Sequence, residues 1–217
     1  MNENEKKVIE EIIINTVKKL LVERDCPNRV VLGISNKHMH LTQEDIETLF
    51  GKGHTLTNLK DLKQPGQYAA KETVKVIGPK GSFDKVRILG PARPESQIEI
   101  SLTDARTIGV DAPIHESGKL EGTPGIILEG PCGRIELKKG VMVALRHIHM
   151  PLDIAEKLNI KDKDYVSVET EGIRKTIFCN VLARVSEKFD YEMHLDTDEA
   201  NAAGLNNNDY LKIIPNR

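Results

Sequence analysis

The sequence has no tryptophan and only four phenylalanines and four tyrosines. Base-stacking platforms, which need exposed aromatic rings, are therefore not expected. Cationic charge is not in excess either: 31 Lys and Arg stand against 33 Asp and Glu, for a net charge of -2. Nucleic-acid binding relies on clustered cations, so no nucleic-acid partner is expected. No apolar run approaches the ~20 residues that span a bilayer. The acidic, polar start lacks the pattern of a secretory signal. A cytoplasmic protein without a membrane partner is the expectation. Cysteine is scarce: Cys26, Cys132 and Cys179 are widely spaced and odd in number. Free thiols in a reducing compartment fit that count better than a disulfide framework. Cys132, in Gly130-Pro131-Cys132-Gly133, has no nearby histidine to activate it, so all three read as bystanders.

What is present is a chain of 217 residues with 39% apolar content, enough for two small cores. Residues 5–23 read as an amphipathic helix, with Val8, Ile12, Ile13, Val17, Leu20 and Leu21 at helical spacing. It is either a docking helix on the core or a segment that binds a partner. Beyond Asp25-Cys26-Pro27-Asn28 the pattern changes to short Val/Ile-rich runs between Gly, Pro and Asn turns. Such runs cover 30–34, 73–77, 86–89, 97–101, 125–128, 134–137, 141–145, 165–169, 175–181, 192–195 and 210–214. Many short strands with frequent turns predict a mainly β barrel or sandwich. Short helices are predicted over 42–50, 103–108, 151–158 and 197–203, with Thr42 and Thr103 as N-caps.

The chain repeats itself. His38-Met39-His40-Leu41 and the helix after it align without gaps on His147-Ile148-His149-Met150 and its helix, at an offset of 109. A second match, at an offset of 95, lays Glu99-Ile100-Ser101-Leu102-Thr103-Asp104-Ala105 over His194-Leu195-Asp196-Thr197-Asp198-Glu199-Ala200. Each half thus offers His-x-His plus one late ligand-type residue: His38, His40 and Glu99, then His147, His149 and His194.

Residues i and i+2 of a strand face the same way, ~7 Å apart, so two imidazoles can converge on one cation. A third ligand from a neighbouring strand leaves a position open, the pattern of catalytic zinc. Imidazole and carboxylate also suit iron, manganese, nickel or cobalt; zinc is preferred. A single His-x-His is ordinarily just two histidines on a strand, but its duplication with matching late ligands favours metal. Arg93 lies six residues before Glu99; on a regular strand both would share a face, and an arginine there can clamp an anion. Its bland alternative is a turn arginine paired with Glu95. Lys37 and Arg146 precede the two His-x-His motifs and alternate to the opposite face. His54 reads as a solvated loop residue, and the spacing assigns His115 no role.

These residues resemble a known family. Ser35-Asn36-Lys37-His38-Met39-His40-Leu41, Gln64-Pro65-Gly66-Gln67-Tyr68-Ala69-Ala70, Gly90-Pro91-x-Arg93 with Gln97-x-Glu99-Ile100-Ser101, Arg146-His147-Ile148-His149, and Met193-His194-x-Asp196-Thr197-Asp198-Glu199-Ala200-Asn201 are similar to motifs of the PduL-type phosphate acyltransferases. The resemblance runs from Val30 onward. It implies two small β-barrels capped by short helices, related by the repeat, with a dinuclear site between them. It also implies strand exchange. Residues 1–26 would form the N-terminal amphipathic helix and linker. Residues 37–144, with a 51–71 insert, would form one barrel, and 27–36 plus 145–217 the other. By resemblance, His38, His40 and Glu99 would hold one zinc and His147, His149 and His194 a second, with Arg93 and Ser117 at the phosphate. The reaction implied is reversible transfer of a short acyl group, acetyl or propanoyl, between coenzyme A and phosphate, without an acyl-enzyme. A homodimer is expected, and the N-terminal helix would direct some members into a bacterial microcompartment through its shell or core proteins. The rival reading is a cupin-like mononuclear metal oxygenase or isomerase, since His38-x-His40-x3-Glu44 has the spacing of a cupin motif.

Overall fold

The computed structural model describes residues 6, 9–10, 12–17 and 26–214. Part of the predicted N-terminal helix therefore lies outside the described residues. Residues 9–10 and 12–17 are helical, and Ile9, Ile12, Ile13, Ile14 and Val17 are exposed rather than packed on the core.

From Arg29 onward the chain is mainly β, as predicted. The strands are β1 (Arg29–Ser35), β2 (His38–His40), β3 (Asn58–Asp61), β4 (Tyr68–Ile77), β5 (Ser82–Gly90), β6 (Gln97–Glu99), β7 (Ile114–His115) and β8 (Ile126–Glu129). They continue with β9 (Arg134–Leu137), β10 (Val141–Ala144), β11 (His147–Met150), β12 (Tyr165–Glu169), β13 (Ile177–Val185), β14 (Glu192–Asp196) and β15 (Tyr210–Ile214). Four short helices sit among them: α1 (Gln43–Phe50), α2 (Leu102–Ile108), α3 (Leu152–Leu158) and α4 (Thr197–Ala203). Thr42 caps α1 by accepting from the Asp45 amide. The cap of α2 is Ser101, not Thr103, because Ser101 keeps extended backbone and accepts from the Asp104 amide. Its repeat partner Asp196 caps α4 in a capping box with Glu199.

Strands β1, β14, β11, β13, β12 and β15 form a closed barrel. The strand before the first His-x-His thus joins strands from the C-terminal part of the chain. In the middle of the chain, β7, β10, β6, β2, β5, β4, β8 and β9 form one sheet, with β3 on β4. The repeat is visible in the pairing. β1 runs parallel to β14 with Gly33 opposite His194, and β10 runs parallel to β6 with Met142 opposite Glu99.

Of the two small barrels expected, one is closed and the other is an open half-barrel. In the closed barrel β15 pairs with β1. At the corresponding junction β10 meets the segment leading into β8, with Val141 N donating to Pro124 O at 3.0 Å and Gly140 N to Thr123 Oγ1 at 2.8 Å. Proline has no amide hydrogen to return, and β8 pairs with β9 instead.

Each sheet encloses its own apolar cluster, one around Ile148, Met193, Val168 and Ile213, the other around Met39, Ile98, Ile88 and Leu128. Leu128 is fully buried on β8, remote from the His-x-His strands. Leu128→Ala is expected to destabilise the protein by about 2–5 kcal/mol, read as a lower urea midpoint at unchanged slope. Among the described residues, no helix is long and apolar enough to cross a membrane.

Candidate metal and substrate site

Strand alternation builds the site. Met39, between His38 and His40, points into one core, and Ile98, between Gln97 and Glu99, does the same. Ile148 and Met193 occupy the equivalent places in the other core. The histidines and Glu99 must therefore face away from both cores. Antiparallel pairing sets His38 opposite Glu99 and His147 opposite His194. The result is two triplets, His38/His40/Glu99 and His147/His149/His194, each with its candidate ligand atoms within 4.8 Å of one another. His38, Glu99, His147 and His194 line one cleft between the sheets. All six residues selected by the repeat come together.

Their hydrogen bonds prepare them to hold a cation. His38 Nδ1 donates to Asn36 O and His147 Nδ1 to Leu145 O, each at 2.8 Å, and His40 Nδ1 donates to Leu89 O at 3.2 Å. A carbonyl only accepts, so these three rings carry their hydrogen on Nδ1 and leave the Nε2 lone pair free. His149 Nδ1 is buried without a partner, and His194 Nε2 is turned to Glu192 Oε2 at 3.3 Å, which leaves the Nδ1 of His194 for a cation. Burial, reinforced by neighbouring histidines, lowers the pKa of His40 to about 3 and of His149 to about 2. Burial and His194 likewise lower that of His147. Neutral imidazoles are the form that binds metal. Burial alone would raise the Glu99 pKa, but His38, His40 and the Ser117 hydroxyl outweigh it and keep the carboxylate ionised. The donor set fits a divalent cation in each triplet.

Arg93 is not on a strand with Glu99. Residues 91–96 form a turn, and β6 begins at Gln97. The turn is held by Arg93 N donating to Leu41 O at 2.9 Å. The Tyr68 ring packs on Gly90, where a Cβ would lie 2.3 Å from Cζ. Arg93 is half-buried and electrostatically coupled to both Glu99 and His40. Glu95 pairs with Lys139 at 2.8 Å, which removes the expected competitor. Ser117 Oγ donates to Glu99 Oε1 at 2.8 Å, so its direct contact is with the ligand-type carboxylate.

Sequence reasoning missed Arg184. It lies opposite His149 in the β11–β13 pairing, two residues beyond Leu182, which lies opposite His147. It therefore shares the row of the histidines. Its guanidinium is 5.7 Å from the Phe189 ring centre and 4.0 Å from Glu116, and it joins burial in lowering the Arg93 pKa. A second guanidinium close enough to disfavour the charge on Arg93 suits the place to an anion. The repeat hid Arg184, because an offset of 95 sets it on the apolar Leu89.

Other residues fall outside the site. Lys37 pairs with Asp104 at 3.0 Å and Arg146 with Glu199 at 2.8 Å, matching ion pairs made from the residues just before β2 and β11. His54 is not merely solvated: its Nε2 lies 3.0 Å from Glu72 and its ring stacks on Phe50. His115 Nδ1 donates to Lys119 O, which orders its own loop. Glu44 is exposed on α1, so it is not the third ligand that a cupin-type site requires.

The fold and site define a β-barrel enzyme in which two ligand-type triplets lie near cationic side chains suited to an anionic substrate. The family model for phosphate propanoyltransferase matches residues 31–206, and the chain belongs to that family. It is similar to phosphate propanoyltransferases from Thermotoga maritima, at 56% identity over 85% of this chain and 89% of the relative, and from Salmonella typhimurium, at 54% over 91% and 93%. The relative from Clostridioides difficile is 49% identical over 95% of both chains. The protein is accordingly a phosphate acyltransferase.

Proposed function

We propose that the chain transfers a short acyl group, acetyl or propanoyl, between coenzyme A and inorganic phosphate, at a site where the two triplets each hold one zinc. The observation that carries this reading is the junction itself. Two sets of donors, with burial keeping His40, His147 and His149 neutral and with Glu99 ionised, lie together near the guanidinium groups of Arg93 and Arg184. Zinc bound there supplies a Lewis acid for the acyl oxygen and a soft partner for the departing thiolate.

The chain's own residues do the rest. Arg93 and Arg184 hold phosphate and offset its negative charge as one of its oxygens approaches the electrophilic acyl carbon. A phosphate oxygen forms a bond to the acyl carbon, the C–S bond breaks, and its electron pair leaves with the coenzyme A thiolate. Holding both substrates in the cleft supplies the proximity that makes this step fast. No protein nucleophile is required. Cys132 is exposed, and the Ser117 hydroxyl donates to a carboxylate ligand rather than to a base. Direct transfer fails as a mechanism if acyl phosphate alone leaves a stable acylated residue on the protein.

The deciding experiment is thiol release from acetyl-CoA and propanoyl-CoA, with and without phosphate, on protein whose metal has been counted. The expected result is phosphate-dependent release with two zinc per chain, the faster substrate defining the acyl preference. Release that ignores phosphate despite bound metal overturns the reading in favour of a hydrolase.

A further inference from the structure

Two residues before each late ligand, the halves carry a polar side chain of opposite character. The pairing sets Gln97 opposite His40 and Glu192 opposite His149, so both lie in the ligand rows, and both are buried. Gln97 Nε2 donates to Glu99 Oε1 at 2.6 Å and to Ser117 Oγ at 2.8 Å. Its oxygen accepts from the Gly118 amide at 3.0 Å, which fixes the amide with its NH2 towards Glu99. In the other half, Glu192 Oε2 lies 3.3 Å from His194 Nε2, at hydrogen-bond distance though poorly aligned. The same oxygen accepts from Gln64 Nε2 at 3.0 Å. Gln64 belongs to the 62–67 loop of the other sheet, so one half of the repeat holds a side chain beside the ligand of the other.

The strand order shows which side of His194 this carboxylate occupies. β14 lies between β1 and β11. On β1, Gly33 faces His194, and a Cβ on Gly33 would meet Glu192 Oε1 at 2.8 Å. The carboxylate thus rests over a bare glycine on the β1 side of the imidazole, while His147 and His149 come from β11 on the other. In the open sheet the place of Gly33 is taken by Met142, opposite Glu99.

We propose that Gln97 and Glu192 are matched positioning residues: Gln97 gives a donor to the carboxylate ligand Glu99, and Glu192 gives an acceptor to the ring N–H of the imidazole ligand His194. The polarity at each position follows the chemistry of its ligand. An ionised carboxylate only accepts, and a metal-bound imidazole has one N–H left to donate. The exchange of Glu99 for His194 between the halves therefore requires the exchange of Gln97 for Glu192. Gln97→Glu would set a second carboxylate against Glu99. Glu192→Gln keeps the oxygen that Gln64 bonds but removes the charge facing His194.

The inference rests on the two-metal reading above, and its test separates the two. The full-length protein is stripped of metal and titrated with zinc against a chromophoric chelator, giving two dissociation constants. Glu192→Gln is expected to weaken one constant by about 10–100-fold and leave the other unchanged, with the melting temperature of the stripped protein preserved. Gln97→Ala is expected to weaken the opposite constant. Gln64→Ala, which releases the Glu192 carboxylate, should move the same constant as Glu192→Gln but by less, and it serves as the second probe if Glu192→Gln folds poorly. Two constants in the parent protein that neither Glu192→Gln nor Gln64→Ala separates would overturn the positioning role alone. Fewer than two zinc in the parent protein would overturn the two-metal reading, and this inference with it.

Discussion

Arg93→Ala is expected to lower phosphate-dependent acyl transfer by about 10²–10³-fold, the range for removing one preorganised group from developing charge. The loss should fall on turnover and on the KM for phosphate, and leave the KM for acyl-CoA nearly unchanged. The side chain sits beside Glu99 and His40, and the turn that carries it is fixed to the backbone of Leu41, directly after the first His-x-His. Its charge is held in a half-buried place with Arg184 opposing it, so a bound dianion relieves a repulsion already present. Arg93→Lys should recover only part of the rate, because an ammonium lacks the planar fork that grips two phosphate oxygens. Arg184→Ala should act in the same direction but less, since Glu116 and Phe189 already engage that guanidinium. Steady-state kinetics with phosphate and acyl-CoA varied in turn is the check. A mutant with the parent's turnover and phosphate KM would remove Arg93 from the anion site.

The second large effect is expected at the ligand rows. His147→Ala should reduce bound zinc from two per chain to one and lower acyl transfer by at least about 10³-fold, because members of one catalytic unit fail together rather than additively. The fold should survive. Met39, Ile98, Ile148 and Met193 point into the two cores, away from the ligands, so removing metal leaves the packing intact. Chelation should accordingly abolish activity with the circular dichroism unchanged, whereas a structural site would unfold.

Acid adds a separate signature to the stripped protein. His40 and His149 have folded-state pKa values of about 3 and about 2, against 6.5 for an unperturbed imidazole. Below 6.5 the unfolded chain takes up protons that the folded site refuses. The stability these neutral rings confer is therefore complete above that pH and is lost as pH falls towards 3. A falling melting temperature of metal-free protein between pH 7 and pH 4 is expected from that linkage; a flat profile would mean the rings are not buried as described.

The correspondence between sequence and structure differs from element to element. The strands with clean alternation, such as Tyr165–Glu169 and Arg134–Leu137, appear where their patterns placed them. Predictions slipped where local residues were ambiguous. Ser101 and Thr103 are both capping types, and only the backbone chooses between them. Turn residues 91–96 contain two prolines, which broke the even count that would have put Arg93 and Glu99 on one strand face. Gln64 lies in a motif that resemblance marked but to which the residues gave no role, because its contact with Glu192 spans 128 positions of sequence.

The sequence by itself determined the rows of ligand-type residues. A strand has a side-chain period of two, so His-x-His can only face one way, and duplicated spacing picked Glu99 and His194 to complete the triplets. Tertiary structure decided what depends on pairing between distant segments. It brought Arg184 beside His149 through a parallel register, set Glu192 over Gly33, and left one sheet open where Pro124 lacks an amide hydrogen. No local periodicity encodes those contacts; they exist because strands far apart in the chain lie side by side in the sheets.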